Sequence, residues 1–130
     1  MGTQPPKLNK YVKPRNPDYQ AEINRVFKQA PFIRDIGLEL VEVSPGRCST
    51  KLMLEKRHQQ QDGYVHAGVL TTVGDHTAGM AGASLIAAGQ YVLSTDIKVC
   101  LMRPARGDRL QLRGRRVRPP GAAGRAAGRP

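Results

Sequence analysis

The sequence predicts an α+β fold, an antiparallel sheet wrapped round one long central helix. Three observations predict it. Residues 37–43 alternate and become β-branched late, and residues 47–54 read as the return strand beyond the Ser44-Pro45-Gly46 turn, the pattern of a hairpin. Small and apolar residues then run from Val65 or His66 to about Ala88, too long a stretch for a strand and right for a helix. Residues 91–102 and 109–117 return to a strand pattern across a turn at residues 104–107.

The long helix ties these pieces together. Gly68, Gly74, Gly79 and Gly82 lie in it, and each costs about 0.5–1 kcal/mol against Ala in a helix interior. Gly74, Ala78 and Gly82 recur every four residues and form one smooth stripe. The expectation is that a sheet packs closely on that stripe. A membrane span is disfavoured, because Asp75 and His76 interrupt the middle of the run.

The remaining elements follow in order. Residues 1–17 carry Pro5, Pro6, Pro14 and Pro17 and read as an irregular arm. Asp18 is placed to cap a helix over residues 19–30 that turns Ile23, Val26 and Phe27 to one face. Pro31 ends that helix, and residues 31–36 make one short apolar turn. Residues 55–62 form a polar loop, in which His58 is expected to be solvated. One folded domain over residues 18–117 results. Residues 118–130 form a separate tail, expected to be disordered, and from Pro119 onward it contains only Pro, Gly, Ala and Arg. These residues share GC-rich codons. A shifted reading frame or a natural unstructured tail would each produce them.

Composition narrows the function classes. Residues 1–102 hold 12 Lys and Arg against 9 Asp and Glu, while residues 103–130 hold 9 Arg against 1 Asp. The basic character is therefore mostly a property of the last segment. That segment lacks the aromatics on which bases stack, so a solvated tail is expected rather than a specific nucleic-acid site. Cys48 and Cys100 have no metal-ligand spacing, and no His-x-x-x-His motif is present, so no metal is expected. Residues 1–19 have no apolar signal core. With two cysteines, this fits a cytoplasmic protein.

The chemistry is expected around His66 and Asp75. A carboxylate inside an apolar helix is costly to desolvate and marks a site more often than plain structure. Asp75 is thus the catalytic candidate, as general base or as nucleophile. The alternative is a bridge within its own helix to Thr71 or Thr72. Just upstream, a loop containing Gly63 leads into a helix start at His66-Ala67-Gly68. Such a start aims free N–H groups outward, which suits a developing oxyanion. His66 can contact substrate or orient the loop.

The string Gln60-x-x-Gly63-x-x-His66-Ala67-Gly68, with Asp75 eight residues after Ala67, resembles the signature of the hotdog-fold acyl-CoA thioesterases of the phenylacetate-degradation (PaaI-like) type. That pattern is Asn-x-x-Gly-x-x-His-Gly-Gly with an Asp eight residues after the first Gly of the pair. The resemblance runs from about Pro31 to Val117. It takes in residues 93–99 and the turn at residues 102–108. Gln60 replaces Asn and lengthens the polar arm by a methylene. Ala67 replaces Gly and keeps the N–H.

The resemblance implies a hotdog fold and hydrolysis of an acyl-CoA thioester, with an aromatic or medium acyl group and no cofactor. It implies a homodimer or homotetramer. In it, Gln60, Gly63, His66, Ala67 and Gly68 of one copy bind the thioester against Asp75 and Ser94 of another. It also implies two long strands after the Gly107-Asp108-Arg109-Leu110 turn, of which one is traceable, to about Val117. A hydratase or dehydratase on the same fold, pairing His66 with Asp75, is the alternative enzyme. A basic nucleic-acid-binding module is the alternative outside enzymes.

Overall fold

The computed structural model describes residues 13–117 and the backbone of residues 127–128. Helix α1 spans Tyr19–Gln29 and buries Ile23 and Phe27, with Val26 half-buried beside them. Asp18 stands at its N-cap position but makes no side-chain cap bond. Its N–H instead donates to Asn16 Oδ1 at 3.0 Å, an Asx turn just before the helix, and the expected cap bond is not made. Pro31 opens a second short helix, α2, Pro31–Ile36, with Ile33 buried. Gly37 closes α2 at φ 84° and donates to the carbonyls of Ile33 and Arg34. That conformation is left-handed and favours glycine.

Strands β1, Leu38–Ser44, and β2, Arg47–Met53, form the expected hairpin. Gly46 turns it at φ 77°. A bulge between Leu40 and Glu42 leaves Val41 without a strand partner and 58% exposed. Strand β2 alternates strictly, with Cys48, Thr50 and Leu52 buried. Strand β4, Arg109–Arg115, pairs antiparallel with β2 and gives the sheet order β1-β2-β4.

Helix α3, Ala67–Ala83, lies across β2 and β4. Buried Val73, Thr77 and Ala81 face the sheet. Thr77 Oγ1 donates to Val73 O at 2.6 Å, so the Thr50 hydroxyl donates to Thr77 Oγ1 across the layer at 2.7 Å. The helix ends near residue 83, five residues short of the expected end. Ser84 sets the stop. Its Oγ accepts from Gly46 N–H at 2.7 Å and donates to Ala81 O at 2.7 Å, which anchors the helix end to the β1–β2 turn.

The close approach expected at the helix glycines lies elsewhere. A Cβ on Gly74, Gly79 or Gly82 would meet nothing within 4 Å. A Cβ on Gly114 of β4 would stand 2.8 Å from Thr77 O. The sheet comes near the helix because the strand, not the helix, gives up its side chain there.

The strand expected at residues 91–102 is also reduced. Only β3, Gln90–Tyr91, is paired, with β5, Ala127–Gly128. Leu93, Ile97, Val99 and Leu101 are exposed. Their alternation specifies extended chain, but no neighbouring strand among the described residues takes up the hydrogen bonds. Residues 13–17 of the expected arm are irregular. Residues 1–12 lie outside the described residues, and so does the expected tail apart from the β5 backbone.

Candidate active site

The loop before α3 is held by its own polar groups. Gln60 Oε1 accepts from the N–H of Asp62 at 2.5 Å and of Tyr64 at 3.2 Å. The Gln60 backbone N–H donates to Tyr64 O, and Gly63 N–H donates to Gln60 O. Gly63 permits this tight loop at φ 85°. Two backbone donors engage the Gln60 oxygen, which leaves its Nε2 amide as the donor end of the side chain.

His58 carries the loop's far side, and it is buried rather than solvated, only 2% exposed. Its Nδ1 accepts from Glu55 N–H at 2.9 Å, so Nε2 carries the proton and donates to Ile36 O at 2.7 Å. Both ring nitrogens are satisfied by backbone, which offsets the desolvation of the ring. His58 O then accepts from His66 N–H at 2.9 Å. A chain of bonds therefore runs from the end of α2 to the start of α3. The neighbourhood in sequence is polar, and nothing local distinguished this histidine from a solvated one.

At the helix start, His66 is the N-cap. Its Nδ1 accepts from Gly68 N–H at 2.8 Å. The N–H groups of Val69 and Leu70 donate to His66 O. Ala67 N–H makes no hydrogen bond among the described residues. The expected outward pair is thus one open donor, Ala67, and one donor shared with the exposed His66 ring. A Cβ on Gly68 would stand 2.9 Å from His66 Nδ1, so this cap geometry depends on glycine.

Asp75 is half-buried, less enclosed than the sequence expectation of a desolvated carboxylate. It does not bridge within its helix: Thr71 Oγ1 donates instead to Ala67 O at 2.9 Å. Its Oδ1 accepts from Ser94 Oγ at 2.5 Å. Two residues singled out in separate parts of the sequence therefore meet. The other group does not join them. Eight residues at 1.5 Å each place Ala67 about 12 Å from Asp75 along α3.

His76 sits beside Asp75 in sequence but packs inward, its ring edge-on to Phe27 with centroids 4.8 Å apart. Its Nε2 is buried without a hydrogen-bond partner. Burial lowers its pKa, and the adjacent Asp75 charge opposes this only in part. The native state therefore favours neutral His76. Its contribution to stability is present above the unfolded value of about 6.5 and lost as pH falls below it. The urea midpoint is expected to drop between about pH 7 and pH 5.5, and His76→Phe is expected to flatten that drop. Equal pH slopes for the two proteins would remove His76 as the cause.

Burial pushes the Cys48 thiol up to about 11, so it is an unreactive part of the core. Cys100 is exposed. No cluster of His, Cys, Asp and Glu among the described residues is placed to hold a metal ion. No helix among them is long and apolar enough to cross a membrane.

Comparison with known proteins agrees with this architecture. Residues 20–112 match the family described as a domain of unknown function, DUF4442. A thioesterase family protein from Silicibacter pomeroyi is 30% identical over 73% of this chain and 70% of that one, with a TM-score of 0.71. The Escherichia coli PaaI protein of the phenylacetic acid degradation operon shares the fold at 12% identity and a TM-score of 0.66, over 74% of this chain and 68% of that one. A 1,4-dihydroxy-2-naphthoyl-CoA hydrolase from Listeria monocytogenes is 31% identical over 62 residues, 48% of this chain and 50% of that protein. The chain thus spans about half the length of this curated relative. With an antiparallel sheet laid on a long helix and these matches on both sequence and structure, the chain belongs to the DUF4442 family and is a hotdog-fold member of the thioesterases.

Proposed function

We propose that this protein hydrolyses acyl-CoA thioesters at a site shared between two copies of the chain. The observation that carries the reading is the Ser94–Asp75 hydrogen bond, which fixes one carboxylate oxygen of α3 against a hydroxyl from another part of the chain. The names of its relatives, a thioesterase and a CoA hydrolase, supply the substrate class.

In this mechanism the thioester carbonyl oxygen accepts from Ala67 N–H, joined by Gly68 N–H when the His66 ring swings away. Gln60 Nε2 donates to the acyl or pantetheine end and Gly63 keeps the loop tight. Asp75 removes a proton from water, whose oxygen attacks the carbonyl carbon. The oxyanion collapses, the C–S bond breaks, and the CoA sulfur takes the proton from Asp75. Direct attack by Asp75 gives an anhydride that water then opens, with the same products. No cofactor enters either route.

The separation of about 12 Å between Ala67 and Asp75 is too long for one carbonyl to meet both from a single chain. A second copy, placing its Asp75 and Ser94 against the first copy's helix start, removes that gap. A homodimer is the smallest assembly that does so, and a tetramer of two such pairs keeps the same site.

Complementation tests this reading. Ala67 is the first residue of α3, where proline is tolerated, and His66 before it is already extended at φ −60° and ψ 135°. Ala67→Pro therefore removes one N–H and keeps the helix. Ala67→Pro and Asp75→Asn should each be nearly inactive on acyl-CoA. Unfolding and refolding them together should restore roughly a quarter of parent activity, because half the dimers are mixed and each carries one intact site. No recovery in the mixture, from two correctly folded variants, would place the whole site in one chain.

A further inference from the structure

A cavity of about 490 Å³ lies between α1 and the C-terminal half of α3. Its floor is Ile23, Val26, Met80, Ala83, Ile86 and Val92. The volume is in the range of small-ligand sites, which are concave and mostly apolar. Asp18 and Glu22 are among its lining residues, and their carboxylates do not favour an anionic occupant. Arg25 is committed to Glu22 through two bonds of 2.6 and 3.0 Å and to Gln29 at 2.8 Å.

One piece of chain joins the cavity to the candidate active site. Tyr91 and Val92 line it against Met80 and Ala83, and Ser94 bonds Asp75 on the same helix. Residues 91–94 thus run antiparallel to α3, from the cavity to the carboxylate. Three extended residues cover roughly 10 Å. Gly79 and Gly82 lie between Asp75 and Ala83 on the helix, within about 40° of the Asp75 direction. A Cβ at either would meet open space. The helix is smooth along the route, which no close approach of the sheet explains.

We propose that this cavity is the subsite for an aliphatic acyl chain, entered from the Asp75–Ser94 pair along the Gly79–Gly82 face of α3. The proposal rests on the thioesterase reading above and narrows its substrate. At about 1.25 Å of advance per C–C bond in an extended chain, a path of roughly 10 Å asks for a chain on the order of eight to ten carbons. Met80 is unbranched and adapts to chains of different shape. A short acyl group would leave the cavity unfilled and gain nothing from it.

The test uses two substitutions that fill the cavity, Ala83→Phe on the helix and Ala87→Phe on the loop beyond it. Hydrolysis of acetyl-CoA and octanoyl-CoA is compared with binding of the unreactive thioethers S-ethyl-CoA and S-octyl-CoA by calorimetry. The parent is expected to bind S-octyl-CoA roughly tenfold or more tighter than S-ethyl-CoA. Both variants should lose that preference and the matching octanoyl-over-acetyl ratio in kcat/KM. Equal affinity of the parent for the two thioethers, or an equal loss for both in the variants, overturns the subsite. A thermal midpoint identifies a variant that fails to fold, and the other then carries the result. If no thioester is hydrolysed but S-octyl-CoA is preferred and the preference is lost on filling, the hydrolase reading fails while the subsite stands.

Discussion

Asp75→Asn lowers acyl-CoA hydrolysis by roughly 10²–10⁴, the usual worth of a positioned general base. The asparagine keeps the volume, and its amide oxygen can still accept from Ser94 Oγ. Folding should therefore change by no more than about 1 kcal/mol, the net worth of one hydrogen bond at a partly exposed site. Binding of a thioether analogue should be nearly unaltered, so the loss falls on kcat rather than on KM. Asp75→Ala tests the same point differently, since it also abandons Ser94. If the two variants lose the same rate, Ser94 acts only through the carboxylate. If Asp75→Asn hydrolyses within about threefold of the parent, Asp75 leaves the mechanism. The thioesterase reading would then rest on the relatives alone.

Asp75 was legible in the sequence because a charge in an apolar helix is conspicuous whatever its partner. Its partner was not. Ser94 is about 20 residues away and reads locally as an ordinary strand hydroxyl. Only the fold resemblance singled it out, and only the tertiary arrangement brings it to 2.5 Å. The hairpin and α1 were equally plain, since alternation and helical spacing are local signals that burial then fulfils in Cys48, Thr50, Leu52, Ile23 and Phe27. The helix end at residue 83 was hidden. Ala and Gly continue past it, and the stop comes from Ser84 meeting Gly46 across the fold. Residues 92–101 show the opposite limit. Their alternation is real, yet a strand is a property of two chains and the pattern names only one.

His58 shows why polarity of the surroundings is a poor guide to burial. It lies among Lys56, Arg57, Gln59 and Gln60, all of which suggest water. Two backbone groups nevertheless satisfy both of its ring nitrogens, Glu55 N–H and Ile36 O. The consequence reaches the active-site loop, because His58 O holds His66 N–H.

Glycine is where pattern and packing part most clearly, and the difference has a large measurable effect. The sequence stripe of Gly74, Ala78 and Gly82 points to a helix face pressed against a sheet. The structure puts open space over Gly74 and sets Gly114 of β4 against the helix backbone, with a Cβ position 2.8 Å from Thr77 O, 3.0 Å from Thr77 C and 3.2 Å from Ala78 Cα. Those neighbours are backbone and cannot rotate away. Gly114→Ala must therefore push β4 off α3, which strains the Thr50–Thr77 link and opens the layer that holds Val73 and Leu52. Overpacking of this kind costs roughly 1–3 kcal/mol. Gly114→Val should cost more, despite the better strand propensity of valine. Gly74→Ala has the opposite sign. It meets no atom, and removing a helix-interior glycine should stabilise by about 0.5–1 kcal/mol. Urea unfolding of the three variants measures all of this at once. If Gly74→Ala destabilises and Gly114→Ala does not, the tight contact lies on the helix after all, and β4 does not approach α3 through Gly114.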